Sequence, residues 1–111
     1  MISLLTALVC YPAFAVSPKI YRTEGFANYY LLTATRNGDI IRTTTKRVGK
    51  NETGFTLSEN NCRTKQFKEL GYGEGTSETS IKLHKSTQWS DLFPGSSRQD
   101  LMDFVCTKIT K

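Results

Sequence analysis

The amino-acid sequence predicts an α+β domain, in which an antiparallel sheet of about five to six strands packs against one C-terminal helix. Three observations support this fold class. Runs rich in β-branched and aromatic residues alternate with turn residues between positions 26 and 83, helical periodicity appears only after Pro94, and one cysteine falls in each part. The length of 111 residues suits a single domain of this kind.

The first fifteen residues are predicted to be a secretory signal peptide. They contain none of the 15 basic and 10 acidic side chains of the chain. Their apolar run, residues 2–11, is too short to cross a hydrocarbon layer of about 30 Å as a helix, and Ala13-Phe14-Ala15 has the small residues that signal peptidase requires. We expect cleavage after Ala15 and a mature domain of residues 16–111. The alternatives are a buried N-terminal element and lipidation at Cys10.

A hairpin is predicted from Phe26 to Val48. Residues 16–25 before it are polar and irregular, so they are expected to form a loose lead-in. The run Tyr29 to Leu32 favours a strand, and the β-branched run Ile40 to Lys46 favours the returning strand. Asn37-Gly38 between them is typical of a type I′ turn, in which both central residues need positive φ.

Three further strands are predicted after this hairpin. The first is Gly54 to Ser58, after a turn at residues 49–53. The second lies around Cys62 to Phe67 and ends before the glycines at positions 71, 73 and 75. The third is Ser77 to Leu83. Trp89 and Phe93 follow, and we expect both to be core anchors before the helix.

The C-terminal helix is predicted to begin after Pro94-Gly95. Ser97 and Asp100 resemble a capping box, with Asp in place of the commoner Glu or Gln. The apolar residues that follow recur at i, i+3, i+4 and i+8, which gives a single buried helical face; they are Leu101, Phe104, Val105 and Ile109.

Two cysteines, Cys62 and Cys106, remain after the predicted cleavage. In an oxidising compartment an even pair favours one disulfide, here one that ties the helix to the sheet. The alternative is a two-thiolate metal site, but His84 is the only histidine and the chain has no CxxC spacing. We therefore predict a disulfide, no metal site and no cofactor.

The sequence offers no catalytic constellation. The glycine-rich segment Gly71 to Gly75 lacks the GxGxxG spacing of a phosphate-binding loop. His84 has no carboxylate that the sequence places to orient its ring. The glutamates are scattered singly among turns, so that no acid–base pair can be located; they are Glu59, Glu69, Glu74 and Glu78. We expect that the protein is not an enzyme.

Positive charge is concentrated between positions 42 and 68. That stretch holds seven cations against two carboxylates, an excess equal to the net charge of +5. Side chains two apart share a strand face, so Arg42 shares a face with Lys46, and Arg63 with Lys65. If these strands are neighbours, they form a basic stripe for an anionic partner. The alternative is a face that only keeps the protein in solution.

Adjacent tyrosines add to this candidate surface. Tyr29 and Tyr30 must point to opposite sides of their strand, so at least one of them is expected at an exposed face or an interface. Tyrosine is favoured in recognition surfaces because it gives a large contact area. No aromatic residues interleave with the cations in a nucleic-acid-binding motif, so nucleic acid is not expected as a partner.

The order of these features resembles that of the surface-adhesin E-like proteins, small envelope proteins of Gram-negative bacteria. The resemblance rests on Trp89, on Pro94-Gly95-Ser96-Ser97 and on Cys106 with Cys62 upstream. It implies an antiparallel sheet backed by a C-terminal helix, a disulfide between the two, and a location in the periplasm, the envelope or outside the cell. No binding residue carries over by motif.

From these observations we expect a non-enzymatic, adhesin-like protein of the envelope. It would bind a protein or a polyanion through a basic sheet face. One alternative is a periplasmic inhibitor of a hydrolase such as lysozyme, with Tyr72 and Glu74 on an inserting loop from Gly71 to Thr79. Lysozyme is itself cationic, however, so it would repel a chain of charge +5. Another alternative is an accessory component of an envelope secretion or conjugation machine.

Overall fold

A computed structural model describes residues 13–109, of which 13–17 and 109 are described by their backbone alone. Residues 1–12, which hold Cys10 and most of the predicted signal peptide, lie outside the described residues. The chain forms a meander of antiparallel strands followed by one C-terminal helix. This architecture confirms the predicted fold class.

The sheet consists of five long strands and two short ones. Strands β1 to β6 lie in chain order across the sheet, and the short β7 pairs with β5 beyond the end of β6. Their bounds are β1 Ala13–Glu24, β2 Ala27–Asn37, β3 Ile40–Val48, β4 Thr53–Asn61, β5 Gln66–Glu74, β6 Lys82–Leu83 and β7 Ser90–Asp91.

The helix packs on one side of this sheet. An α-helical segment α1, Ser97–Asp103, continues directly as a π-helical turn, Phe104–Ile109. Leu101 and Val105 of the helix are buried against apolar residues of the sheet, which are Leu31, Ala34, Ile41 and Phe67. The predicted helical face is therefore confirmed for these two helix residues, while Phe104 is only partly buried against the same cluster.

The helix begins one residue earlier than predicted. Ser96, not Ser97, is the N-cap, and its hydroxyl accepts a hydrogen bond of 3.2 Å from the backbone amide of Gln99. Gln99 therefore occupies the third helical position, where capping boxes favour Glu or Gln. Its side chain instead donates to Asp103, so only the serine half of the box is formed.

Alternate residues of each strand point to two sides, which we name the helix face and the open face. On β3 the helix face carries Ile41, Thr43 and Thr45, all buried, while Arg42 and Lys46 lie on the open face. The described helix covers only the helix face. The disulfide between Cys62 and Cys106, with a Cα–Cα distance of 5.7 Å, joins the turn after β4 to the helix and confirms the predicted bond.

The lead-in predicted for residues 16–25 is wrong, because this segment belongs to strand β1. It pairs with β2 from Ala13 to Glu24, with irregularities between Ala15 and Lys19 and between Ile20 and Arg22. Gly25, at φ 59°, makes the tight turn into β2. The second irregularity places both Tyr21 and Arg22 on the helix face, where Arg22 donates to Asp100 at 3.0 Å.

The hairpin of β2 and β3 is confirmed, but its turn is not of type I′. Asn37 pairs with Ile40, so the two central residues are Gly38 and Asp39. Gly38 has a φ of 65°, and no other residue of this turn has positive φ. A positive φ at the first central residue alone is the pattern of a type II′ turn.

The strand predicted around Cys62 to Phe67 is also wrong, because residues 62–65 form the turn between β4 and β5. The side chain of Asn61 accepts hydrogen bonds from the backbone amides of Arg63 and Thr64, at 2.9 and 3.0 Å. Such an Asx turn offers the backbone an alternative to the strand ladder. Lys65 then adopts a left-handed conformation, with φ 62°.

Strand β5 runs through Gly71 and Gly73 instead of ending before them. A Cβ atom on Gly73 would lie 2.0 Å from the carbonyl oxygen of Ser80. Ser80 is the last residue of a 3₁₀ turn, Glu78–Ser80. Only glycine therefore allows the end of this turn to cross the strand so closely. The strand predicted from Ser77 to Leu83 is accordingly reduced to this turn and the two residues of β6.

The two aromatic residues before the helix differ in burial. Trp89 is partly buried, but Phe93 is 79% exposed, so the prediction that Phe93 anchors the core is wrong.

Candidate functional site

The open face carries a row of charged side chains that crosses three strands. Arg42 on β3 stands opposite Glu59 on β4, which stands opposite Lys68 on β5. Arg42 Nη2 lies 2.8 Å from Glu59 Oε2, and Lys68 Nζ lies 3.8 Å from Glu59 Oε1. Two cations therefore share one carboxylate. The Arg42 side chain is 55% exposed and Glu59 only 17%, so a partner would meet the cation first.

A second row on the open face is aromatic and cationic. Tyr30 on β2 stands opposite Lys46 on β3, which stands opposite Phe55 on β4. Lys46 Nζ lies 5.9 Å from the centre of the Phe55 ring, within the range of a cation–π contact. In the first row, Lys68 Nζ similarly lies 4.6 Å from the centre of the Trp89 ring. The open face thus combines Arg42, Lys46 and Lys68 with aromatic rings.

The predicted stripe is only partly assembled. Arg42 and Lys46 share the open face as predicted, but Arg63 and Lys65 do not share a strand face, because both lie in the turn between β4 and β5. Arg63 Nε contacts Asp39 Oδ2 at 3.1 Å at that end of the sheet. Lys68 takes a place on the open face that sequence reasoning did not assign. The strand period of two could have placed Lys68 on this face, but only if the strand is known to begin at Gln66.

The two adjacent tyrosines point to opposite faces, as predicted. Tyr30 lies on the open face beside Lys46, whereas Tyr29 lies on the helix face. The Tyr29 ring is 6.0 Å from the ring of Tyr21, and its hydroxyl accepts a hydrogen bond of 3.2 Å from Arg47 Nε. Only Tyr30 of this pair is therefore available to a partner on the open face.

The helix face holds a cleft of about 240 Å³ between the sheet and the first turn of α1. We name it the helix-face cleft. Sequence reasoning missed it, because its residues come from distant parts of the chain. Its walls are aromatic, and its rim carries charged and hydroxyl side chains; the lining residues are Tyr21, Tyr29, Thr45, Arg47, Thr56, Phe67, Glu69, Tyr72, Ser97, Arg98 and Leu101.

The register of strands β3, β4 and β5 places three residues of the cleft in one row across the sheet. Thr45 on β3 stands opposite Thr56 on β4, which stands opposite Tyr72 on β5. Gly54 makes room for the Tyr72 ring, since a Cβ at position 54 would lie 2.5 Å from the Tyr72 hydroxyl. Burial, reinforced by a hydrogen bond of 3.2 Å that the hydroxyl donates to Glu74, raises the pKa of Tyr72.

Tyr72 therefore belongs to strand β5 and not to a projecting loop. The same is true of Glu74, which is the last residue of that strand. Residues 77–80 that follow are held by a hydrogen bond of 3.0 Å from the amide of Ser80 to the carbonyl of Ser77. The predicted inserting segment is therefore strand from Gly71 to Glu74 and exposed chain from Gly75 to Thr79.

Each charged side chain of the cleft has an ion-pair partner, either within the cleft or beside it. Glu69 receives Arg98 on one carboxylate oxygen at 3.2 Å and His84 Nε2 on the other at 2.7 Å. The prediction that no carboxylate orients His84 is therefore wrong, since β5 and the residue after β6 meet at the sheet edge. Arg47 is paired with Glu52 at 2.9 Å, a contact that raises the pKa of its guanidinium.

Among residues 13–109, no group of three or more His, Cys, Asp or Glu side chains could hold a metal ion. Within the same range, no helix is long and apolar enough to cross a membrane. The disulfide fits an extracytoplasmic protein, because such bonds persist in oxidising compartments.

Comparisons of the chain with protein-family models, with curated proteins and with solved structures found no match.

Proposed function

We propose that the protein is a non-enzymatic binding protein of the bacterial envelope, which recognises an acidic protein or an anionic polysaccharide through the open face. The observation that carries this proposal is the arrangement of three cations and one carboxylate on a face that the described helix leaves uncovered. The cations are Arg42, Lys46 and Lys68, and the carboxylate is Glu59.

The charged side chains of the open face differ in how far they are exposed to a partner. Glu59 and Lys68 are both mostly covered, with 17% and 22% of their side chains exposed, so Arg42, at 55%, presents most of the charge of this row. The neighbour of Lys46 on this face is the Phe55 ring, 5.9 Å away, which does not offset a positive charge as a carboxylate would. Asp91, opposite Gln66 at the end of this face, adds a second carboxylate against the three cations. The balance stays positive, which accelerates encounter with an anionic surface and orients it.

Aromatic groups beside the cations would add contact area. Tyr30 lies next to Lys46, and Trp89 lies over Lys68. Tyrosine and tryptophan dominate the energetics of many interfaces, because they bury a large area at a small cost in conformational entropy. The disulfide supports an envelope location, as does the resemblance to the surface-adhesin E-like proteins.

Retention on heparin tests this proposal. We expect the double variant Arg42→Gln with Lys46→Gln to elute at clearly lower salt than the wild type, because each lost phosphate or sulfate contact reduces a salt-dependent affinity. Glutamine is chosen because a carboxylate at position 42 would face Glu59. A poly-glutamate resin in parallel separates recognition of an acidic polypeptide from that of a sulfated polysaccharide.

The matched control carries the same loss of two charges on the other side of the sheet. Lys19 on β1, which stands opposite Leu31, and Lys108 in the π-helical turn are both exposed. The double variant Lys19→Gln with Lys108→Gln should elute close to the wild type. Equal shifts for the two double variants on both resins would show that only net charge matters, which would overturn the proposal.

A further inference from the structure

We propose that the helix-face cleft is a second binding site, and that its ligand is one ring of an uncharged saccharide. This site is independent of the open face, because it lies on the opposite side of the sheet and shares none of the three cations. The size of the cleft, the balance of its charges, and the hydroxyl and aromatic groups along its walls all favour such a ligand.

The volume indicates a small ligand. Pockets for drug-sized molecules usually measure about 300 to 1,000 Å³, whereas this cleft measures about 240 Å³. It suits a single six-membered ring with substituents. The rest of an oligosaccharide would lie outside, at the mouth beside Arg98 and Tyr72, where the Tyr72 side chain is 41% exposed.

The charges favour a neutral ligand. Each guanidinium of the cleft already has a carboxylate, Glu69 for Arg98 and Glu52 for Arg47. A third carboxylate, Glu74, accepts from the Tyr72 hydroxyl at the rim. An anion would have to displace or approach these carboxylates, and a cation would have to approach the guanidiniums. A neutral ligand with many hydroxyl groups encounters neither repulsion.

The polar groups match the hydroxyl groups of a sugar. A hydroxyl both donates and accepts hydrogen bonds, and a sugar presents several in fixed directions. The cleft offers hydroxyls of the same dual character on Thr56, which stands opposite the Thr45 that is hydrogen-bonded to Tyr21, and on Ser97 at the start of the helix. The paired Glu69 and Arg98 add an acceptor and a donor beside them.

The aromatic walls match the other half of a sugar ring, its apolar C–H face. A planar ring packs against such a face by dispersion and by exclusion of water. Tyr29 is held by Tyr21 and by the hydrogen bond from Arg47, and Tyr72 lies in the space left by Gly54. Both rings are therefore oriented before a ligand arrives, which reduces the entropic cost of binding.

The experiment is a titration of the full-length, ¹⁵N-labelled protein followed by NMR. The probes are three uncharged trisaccharides, chitotriose, maltotriose and cellotriose, with sodium benzoate as an aromatic anion for comparison. We expect at least one trisaccharide, at concentrations up to about 10 mM, to shift the amide signals of Thr45, Thr56, Tyr72 and Arg98. Benzoate should shift them less.

Variants decide whether the cleft is responsible. Tyr72→Leu should weaken binding about tenfold or more, since stacking surface is lost, whereas the control Phe93→Leu, at a 79% exposed ring outside the cleft lining, should leave the affinity unchanged. Thr56→Val removes one hydroxyl at nearly constant volume and should weaken binding severalfold, so the site can be judged even if Tyr72→Leu disturbs the fold. No shift of the cleft amides by any trisaccharide, a stronger response to benzoate, or wild-type affinity in Thr56→Val would overturn the proposal.

Discussion

Asn60 donates a hydrogen bond of 3.2 Å from its side-chain amide to the hydroxyl of Thr43, and both side chains are completely buried. The same amide donates to the carbonyl of Ile41 at 3.1 Å, and Thr43 is hydrogen-bonded to Ser58 at 2.9 Å. These polar groups form one connected network on the helix face of β3 and β4. Their hydrogen bonds are made inside the protein, so the loss of one member leaves another without its partner.

This network predicts strong coupling between Thr43 and Ser58. Each single variant, Thr43→Val or Ser58→Ala, leaves a buried hydroxyl without that partner and should reduce the free energy of unfolding by about 1–3 kcal/mol. The double variant should cost clearly less than the sum of the two, because both partners are then apolar. Urea unfolding of the four proteins measures the difference. Strict additivity would show that the two hydroxyls do not depend on each other.

The disulfide predicts a large dependence of stability on oxidation. Cys62 and Cys106 are 44 positions apart, and a loop of this length corresponds to about 4 kcal/mol in the chain-entropy account. The variant Cys62→Ser with Cys106→Ser should therefore lose about 2–5 kcal/mol in urea unfolding. Reduced wild type provides the matched comparison and should unfold at a similar urea concentration. Unchanged stability of the variant would contradict the role assigned to this bond.

The close crossing at Gly73 predicts that a methyl group there is not tolerated. Gly73→Ala would place a Cβ 2.0 Å from the Ser80 carbonyl oxygen, so the backbone after the 3₁₀ turn must move. We expect a loss of about 1–3 kcal/mol, as is typical of overpacking, with changed amide signals at Ile81 and Lys82. Gly75→Ala is the control, since its nearest neighbour is the Ser80 Cβ at 3.0 Å. A larger effect for Gly75→Ala would contradict this explanation.

The burial of Tyr21 predicts a loss of stability in alkali. Its ring lies near Tyr29 and Phe104, with centroids 6.0 and 6.1 Å away. Burial raises the pKa of its phenol well above the ordinary value, and a hydrogen bond with Thr45 offsets only part of this rise. The unfolded chain therefore ionises first, so this contribution is complete below about pH 10 and declines as the pH rises further.

The free energy of unfolding measured between pH 8 and pH 11 tests this effect. The loss attributable to Tyr21 is at most about 1.4 kcal/mol per pH unit, the value for one proton. Tyr21→Phe should show a shallower decline than the wild type, and Tyr30→Phe, on the open face, should follow the wild type. Parallel curves for Tyr21→Phe and the wild type would contradict the assignment.

Local signals were sufficient to predict the hairpin, the helix and the disulfide. The turn at Gly38 lies between two β-branched runs, and the apolar spacing from Leu101 to Val105 has the helical period. Strand β1 carries no such signal, because it lies at the sheet edge. Among its residues from Pro18 to Glu24, whose side chains are described, only Tyr21 and Arg22 are anchors on the helix face. Its pairing with β2 comes from the topology, so the sequence pattern alone could not show it.

The glycines of β5 show the same limit. Glycines usually interrupt a strand, but Gly71 and Gly73 are required within β5, because residues 80–83, seven to twelve positions further along the chain, cross them. The candidate sites divide in the same way. Arg42 and Lys46 share a face by the period of two, whereas Thr45, Thr56 and Tyr72 meet only through the register of three strands.

The helix that forms one wall of the cleft is attached to the sheet at three places. Asp100 in its first half binds Arg22 on β1, Arg98 in its first turn is paired with Glu69 on β5, and Cys106 in its second half is bonded to Cys62 after β4. Breaking the covalent attachment leaves the first half of the helix with both ion pairs and the second half held by packing. The cleft should therefore respond to the redox state around the protein only through the second half of the helix, since the ion pairs of Arg98 and Asp100 do not depend on that bond.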